Sequence, residues 1–188
     1  MHLDSDTKDI MLEHDSGARH PYGVTHQIIL WTAILWSAFQ LWVASPFVYY
    51  EFFTSTLSIS VLNDTQVRAI HLSIALFLAF LSFPATKKSP RHHVPVMDWL
   101  FSILGAAAAG YIYVFYEEMA MRSGLPTDAD LISAGVGILL LLEATRRALG
   151  WPLVILSVLF LCYTFFGQSM PDLISHKGQS LKKIASHQ

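Results

Sequence analysis

Apolar stretches, each about as long as a bilayer is thick, follow one another along this chain, and most of its charge lies in the gaps between them and in the two terminal segments. A hydrocarbon core of ~30 Å takes roughly 17–25 apolar residues per helix. Within it no water reaches the backbone amides and carbonyls, so such stretches must close their hydrogen bonds internally, as helices. A soluble fold of this length would scatter charge along its surface elements. Here 53% of the 188 residues are hydrophobic and only 14% are charged. The expected fold class is an all-α integral membrane protein with four to five transmembrane helices.

The expected spans are 28–45, 69–83, 97–116, 131–149 and 151–167. The first holds Trp31, Trp36 and Trp42 and ends before Pro46. The second follows Arg68 and is stopped by Pro84; at roughly 22 Å it needs its flanks to reach both interfaces. Trp99 at one end of the third and Tyr111, Tyr113 and Tyr116 at the other form interfacial belts. Gly150-Trp151-Pro152 is a tight turn between the last two, since proline is tolerated at a helix start. Residues 1–27 form a polar N-terminal segment and residues 168–188 a polar tail.

Direction follows from Lys and Arg in the short loops. Lys87, Lys88 and Arg91 lie in a loop without acids, and Arg146 and Arg147 end the fourth span. The loop after the third span holds Glu117, Glu118, Asp128 and Asp130 against Arg122. The basic gaps are therefore expected in the cytoplasm, with the N-terminus inside and the C-terminus outside. Lys177, Lys182 and Lys183 in the tail oppose this, but they lie beyond the reach of the rule. The acid-rich start, with Asp4, Asp6, Asp9, Glu13 and Asp15, does not read as a cleavable signal peptide; a cytoplasmic lead-in is expected.

Several chemistries lack support in the residues. Cys162 is the single cysteine, so it offers neither an internal disulfide nor a cysteine metal site. A formal charge of −2 gives no reason to expect nucleic acid. Of the nine histidines, His92 and His93 are adjacent in a loop, and His2, His14, His20 and His26 are strung along the N-terminal segment. His71 stands at the mouth of the second span, three residues after Arg68, as an interfacial anchor. None of this has metal-ligand spacing. Zinc-protease, phosphate-loop and Ser-His-Asp patterns are lacking too, so neither an enzyme nor a bound cofactor is expected. No internal repeat marks a complete two-half transporter.

Three groups of residues remain. Gly105 and Ala109, and Ala106 and Gly110, place small residues four apart on the third span, and Ser133 and Gly137 do so on the fourth. Such strips let helices approach closely, within the chain or onto a partner. Glu118 and Arg122 have the spacing and order of a helical ion pair; with Glu117 they are either a docking surface outside the membrane or a solvated helix end. Glu143 can reach Arg146 and Arg147 at the cytoplasmic end of the fourth span. That set reads as a paired anchor or, were further titratable groups at depth, a proton relay.

The order of certain residues goes beyond membrane burial. Arg68-Ala-Ile-His71-Leu72 opens the second span, and Phe115-Tyr-Glu-Glu118 precedes Arg122-Ser-Gly-Leu-Pro126-Thr127. Glu143-Ala-Thr-Arg146-Arg147-Ala-Leu-Gly-Trp151, then Phe166-Gly and His176-Lys-Gly, follow. From Arg68 onward the chain resembles the N-terminal, DctQ-like portion of the fused permease of TRAP (tripartite ATP-independent periplasmic) transporters, in the TAXI branch. That resemblance implies a bacterial inner-membrane secondary transporter of organic acids and similar solutes. It implies a periplasmic TAXI-type solute-binding protein and a large DctM-like permease subunit as partners. It also implies that this part is a scaffold, with the solute and ion sites in the large subunit. The fused proteins continue where this sequence reaches Gln188, so a separate small subunit and a fragment of a fused permease are both open. The reading from another class is an assembly or regulatory membrane protein with no transporter partner.

Overall fold

A computed structural model describes residues 17–46, 62–86, 88–122 and 124–166. The described residues form α1 (Val24–Ala44), α2 (Asp64–Ser82), α3 (Val96–Val114), α4 (Tyr116–Met121), α5 (Asp128–Leu149) and α6 (Trp151–Phe166), with no strand among them. The chain is all-α. Of these helices α1, α2 and α3 are long and apolar enough to cross a membrane. The 22-residue α5 has the length but carries acids in its first turn and Glu143, Arg146 and Arg147 near its end, while α6 is apolar and has 16 residues.

The helix limits depart from the expected spans for local reasons. Gly23, at a φ of 68°, turns the chain into α1 at Val24, ahead of Ile28. Asn63 opens α2 at Asp64, not Ala69: its side chain accepts from the Gln66 amide at 2.9 Å, and the Gln66 side chain accepts from the Asn63 amide at 3.2 Å. This capping box satisfies two N–H groups that a helix start leaves without partners. The resulting 19 residues reach ~28 Å, which removes the shortfall expected of the second span. α3 stops at Val114, and Tyr116 belongs to the short α4. A second capping box, Thr127 with Asp130, starts α5 at Asp128.

α2 and α3 run antiparallel and form the tightest pair. A Cβ on Gly105 would lie 3.3 Å from the Leu76 Cβ and 3.5 Å from the Phe80 ring. Ser73 donates to the Ala106 carbonyl at 2.8 Å and Ser102 to the Phe77 carbonyl at 3.1 Å. α5 lies along the other side of α3, where Ser133 donates to the Ala108 carbonyl at 3.0 Å and Gly137 faces the Ala108 methyl. Gly110 faces Ser73, and Ala109 is buried. Leu76, Phe80, Ala109 and Ala144 form the core, with Leu72, Ala79, Phe101 and Leu140 packed against them. Gly105→Leu is expected to cost about 1–3 kcal/mol by overpacking this seam. Thermal unfolding in detergent checks it against Gly135→Leu, which has open space around it and should melt with the parent.

Candidate functional site: charged clamps at the two ends of the helices

At the end where α2 hands over to α3, residues 17–22 cross the intervening loop. The Arg19 amide donates to the Ser82 carbonyl at 2.7 Å and the His20 amide to the Arg91 carbonyl at 3.0 Å. The Tyr22 ring stacks on His92 with centroids 5.3 Å apart, and Arg91 Nη1 donates to the Gly17 carbonyl at 3.0 Å. This part of the expected N-terminal lead-in is thus packed against the helices, with Arg19 buried. Residues 1–16 lie outside the described residues.

Arg19 enters a buried ion network centred on Asp98 in the first turn of α3. Arg19 Nη2 pairs with Asp98 Oδ2, and Arg147 Nη1 of α5 donates to Asp98 Oδ1 at 2.7 Å. The three side chains are 0%, 2% and 5% exposed for Arg19, Arg147 and Asp98. Arg19 also donates to the Phe80 and Pro90 carbonyls, both at 3.2 Å. Arg147 lies over the rings of Phe80 and Phe101, at 4.9 and 5.7 Å. Its Nε donates to Glu143 Oε1 at 2.8 Å. Arg146 binds Glu143 through two bonds of 2.7 Å, donates to the Ala85 carbonyl at 3.1 Å and covers the Trp151 ring.

Both Asp98 oxygens and both Glu143 oxygens therefore meet guanidinium groups, which stay protonated. Such a set ties α3, α5 and residues 17–22 together; it is not built to pass protons along. Glu143, Arg146 and Arg147 meet as their spacing suggests, but the partners that complete the network, Arg19 and Asp98, were not singled out in the sequence. One signal was there: a lone acid just inside an apolar stretch is costly without a cation nearby.

A smaller cluster sits at the opposite end, around Asp130 in the first turn of α5. Tyr111 Oη donates to Asp130 Oδ1 at 2.8 Å, Arg122 Nη2 reaches the same oxygen at 3.2 Å, and the Thr127 amide donates to Oδ2 at 2.8 Å. Burial pushes the Asp130 carboxyl up, but the Thr127 amide, the Tyr111 hydroxyl and Arg122 outweigh it and hold the group below its ordinary value. Asp130 precedes the apolar stretch of α5. The expected Glu118–Arg122 side-chain pair does not form. α4 ends at Met121, so Arg122 leaves the helix; its Nε donates to the Glu118 backbone carbonyl at 3.2 Å while the fork turns to Asp130. Glu117 and Glu118 are exposed on α4, with no ion pair among the described residues.

Tyr111→Phe removes one donor from a buried carboxylate that keeps two others. A loss of about 1.5–3 kcal/mol is expected, as for hydrogen bonds to charged groups. Unfolding midpoints of the variant and parent measure it.

His71 is placed differently from the expected anchor at a span mouth. Because α2 starts at Asp64, His71 lies two turns into it, against Trp36 and Gln40 of α1. No three His, Cys, Asp or Glu side chains among the described residues form a group that could hold a metal. No family model, curated protein or solved structure matches this chain.

Proposed function

We propose that this chain is the small, DctQ-like scaffold portion of a TRAP-type permease of the TAXI branch, in a bacterial cytoplasmic membrane. One observation carries the reading: the most specific of its motifs is directed at holding the helices together. Glu143, Arg146 and Arg147 bind one another, Asp98 and the loop backbone at Ala85, and Gly150, at a φ of 86°, turns the chain into α6. A solute or ion path needs polar groups facing a space at mid-depth. The clusters around Asp98 and Asp130 instead lie at helix ends and are engaged internally.

In this reading α1, α2, α3, α5 and α6 cross the membrane in alternation. The basic groups of the α2–α3 loop and of the α5 terminus support a cytoplasmic position for the Arg147 end. The N-terminus is then inside, and α4, with Glu117 and Glu118, faces the periplasm as the side for docking the solute-binding protein. The large DctM-like subunit supplies the solute and ion sites and moves during ion-gradient-driven uptake of organic acids, while this portion braces it and has no catalytic role.

The test is co-expression with a DctM-like subunit and a TAXI-type binding protein. The tagged chain is expected to co-purify with the large subunit, and uptake into proteoliposomes to require all three. Transport by this chain alone, or full activity of the large subunit without it, would overturn the reading. Glu117→Lys with Glu118→Lys is expected to raise several-fold the binding-protein concentration for half-maximal uptake while the membrane complex stays intact. Unchanged uptake kinetics would remove α4 as the docking side.

A further inference from the structure

None of the residues of α1 is buried, and this helix meets α2 where Trp36 and Gln40 close on His71. The indole of Trp36 can only donate, so its 3.3 Å contact makes His71 Nδ1 the acceptor. Gln40 approaches the same nitrogen through its amide nitrogen and is likewise a donor. With Nδ1 occupied, the neutral imidazole keeps its proton on Nε2, and Gln40 keeps its carbonyl oxygen and its second amide N–H. The Nε2 donor and the Gln40 carbonyl acceptor thus belong to two residues in contact, and no other described residue engages either.

Their depth makes this consequential. His71 is about 10 Å along α2 from its start, and Gln40 lies one turn before α1 ends at Ala44, so both sit inside the same end of the bundle. Hydrogen-bonding groups facing lipid without partners are costly there. Exposed Ile34, Ser37 and Leu41, spaced three and four residues apart, flank Gln40 on α1 and form a largely apolar border to the pair.

We propose that this α1–α2 face is a homodimer interface, in which His71 Nε2 of each copy donates to the Gln40 carbonyl of the other. A two-fold axis presents the same patch on both copies, so a side-by-side donor and acceptor is self-complementary. A partner offering only acceptors would leave the Gln40 carbonyl unserved; a second copy serves both the imidazole N–H and that carbonyl. The proposal does not rest on the permease reading.

The experiment uses the full chain with Cys162→Ser and Ser37→Cys, in native membranes, cross-linked with a bismaleimide. Cross-linked dimer is expected, and His71→Ala or Gln40→Ala should each weaken dimerisation about tenfold, the effect of losing two interhelical hydrogen bonds. Differently tagged copies separate this from local misfolding. A His71→Ala copy still offers Gln40, and a Gln40→Ala copy still offers His71, so a mixture regains one of the two bonds. The mixed pair should cross-link more than either variant with itself. A monomer throughout, a cross-link only to a different protein, dimers indifferent to both substitutions, or a mixture no better than the separate variants would each overturn the proposal.

Discussion

Asp98→Asn is expected to cost about 3–5 kcal/mol, the loss seen when one member of a buried ion network is removed and its partners stay charged. Asp98 is the only carboxylate that Arg19 contacts among the described residues, and it also takes one arm of Arg147. Neutralising it leaves two buried guanidinium groups facing an amide that can accept at one atom only. Arg147 retains Glu143, whereas Arg19 retains only backbone carbonyls. Arg19→Met should therefore be the milder single change, because Asp98 then still has Arg147. In the Asp98→Asn background Arg19→Met should recover stability, since it removes a buried charge that has lost its counter-ion. Unfolding of the four proteins in detergent gives the coupling directly. Equal, additive losses would show that the pair does not interact.

The second large effect is expected at Phe80, which is fully buried between α2 and α3. Its ring packs on Phe101 with centroids 5.7 Å apart, supports the Arg147 guanidinium and lies against Gly105. Phe80→Ala should cost about 3–5 kcal/mol, from lost transfer energy and an unfilled cavity. The Phe80 carbonyl still accepts from Arg19, so the loss reports on packing and on the cation–π contact. Phe160→Ala, at an exposed position on α6, should stay within about 0.5 kcal/mol of the parent. Because Phe80 and Asp98 share Arg147, the double variant should lose less than the sum of the two.

Much of the helical layout is legible in the residues, for a physical reason. Hydropathy reports membrane-length burial, and prolines and glycines mark the ends. Helix starts are less so, because capping acts through polar residues that a hydropathy reading places outside the span. Asn63 and Thr127 each extend a helix backward past its apolar limit. Side-chain pairs are readable when the helix itself fixes their spacing, as for Glu143 with Arg146 and Arg147. Glu118 and Arg122 have equally good spacing, but the helix ends between them. Arg19, Asp98 and Arg147 are far apart in sequence, and only tertiary packing brings them together. Arg19 was further obscured by the acid-rich residues before it, which suggest a solvated tail.

The sharing of Asp98 also bears on how such a chain could enter a bilayer during synthesis. Arg19 and Asp98 belong to the part made first, so both partners of this pair are available to neutralise each other before α5 is made. Arg147 emerges later, one turn after Glu143, so it arrives with an acid already beside it. Neither segment has to present a bare buried charge to lipid while it waits for the other. Closure of the network then marks the moment at which α5 has been threaded and seated, and a ribosome-stalled chain ending before Arg147 would lack that lock.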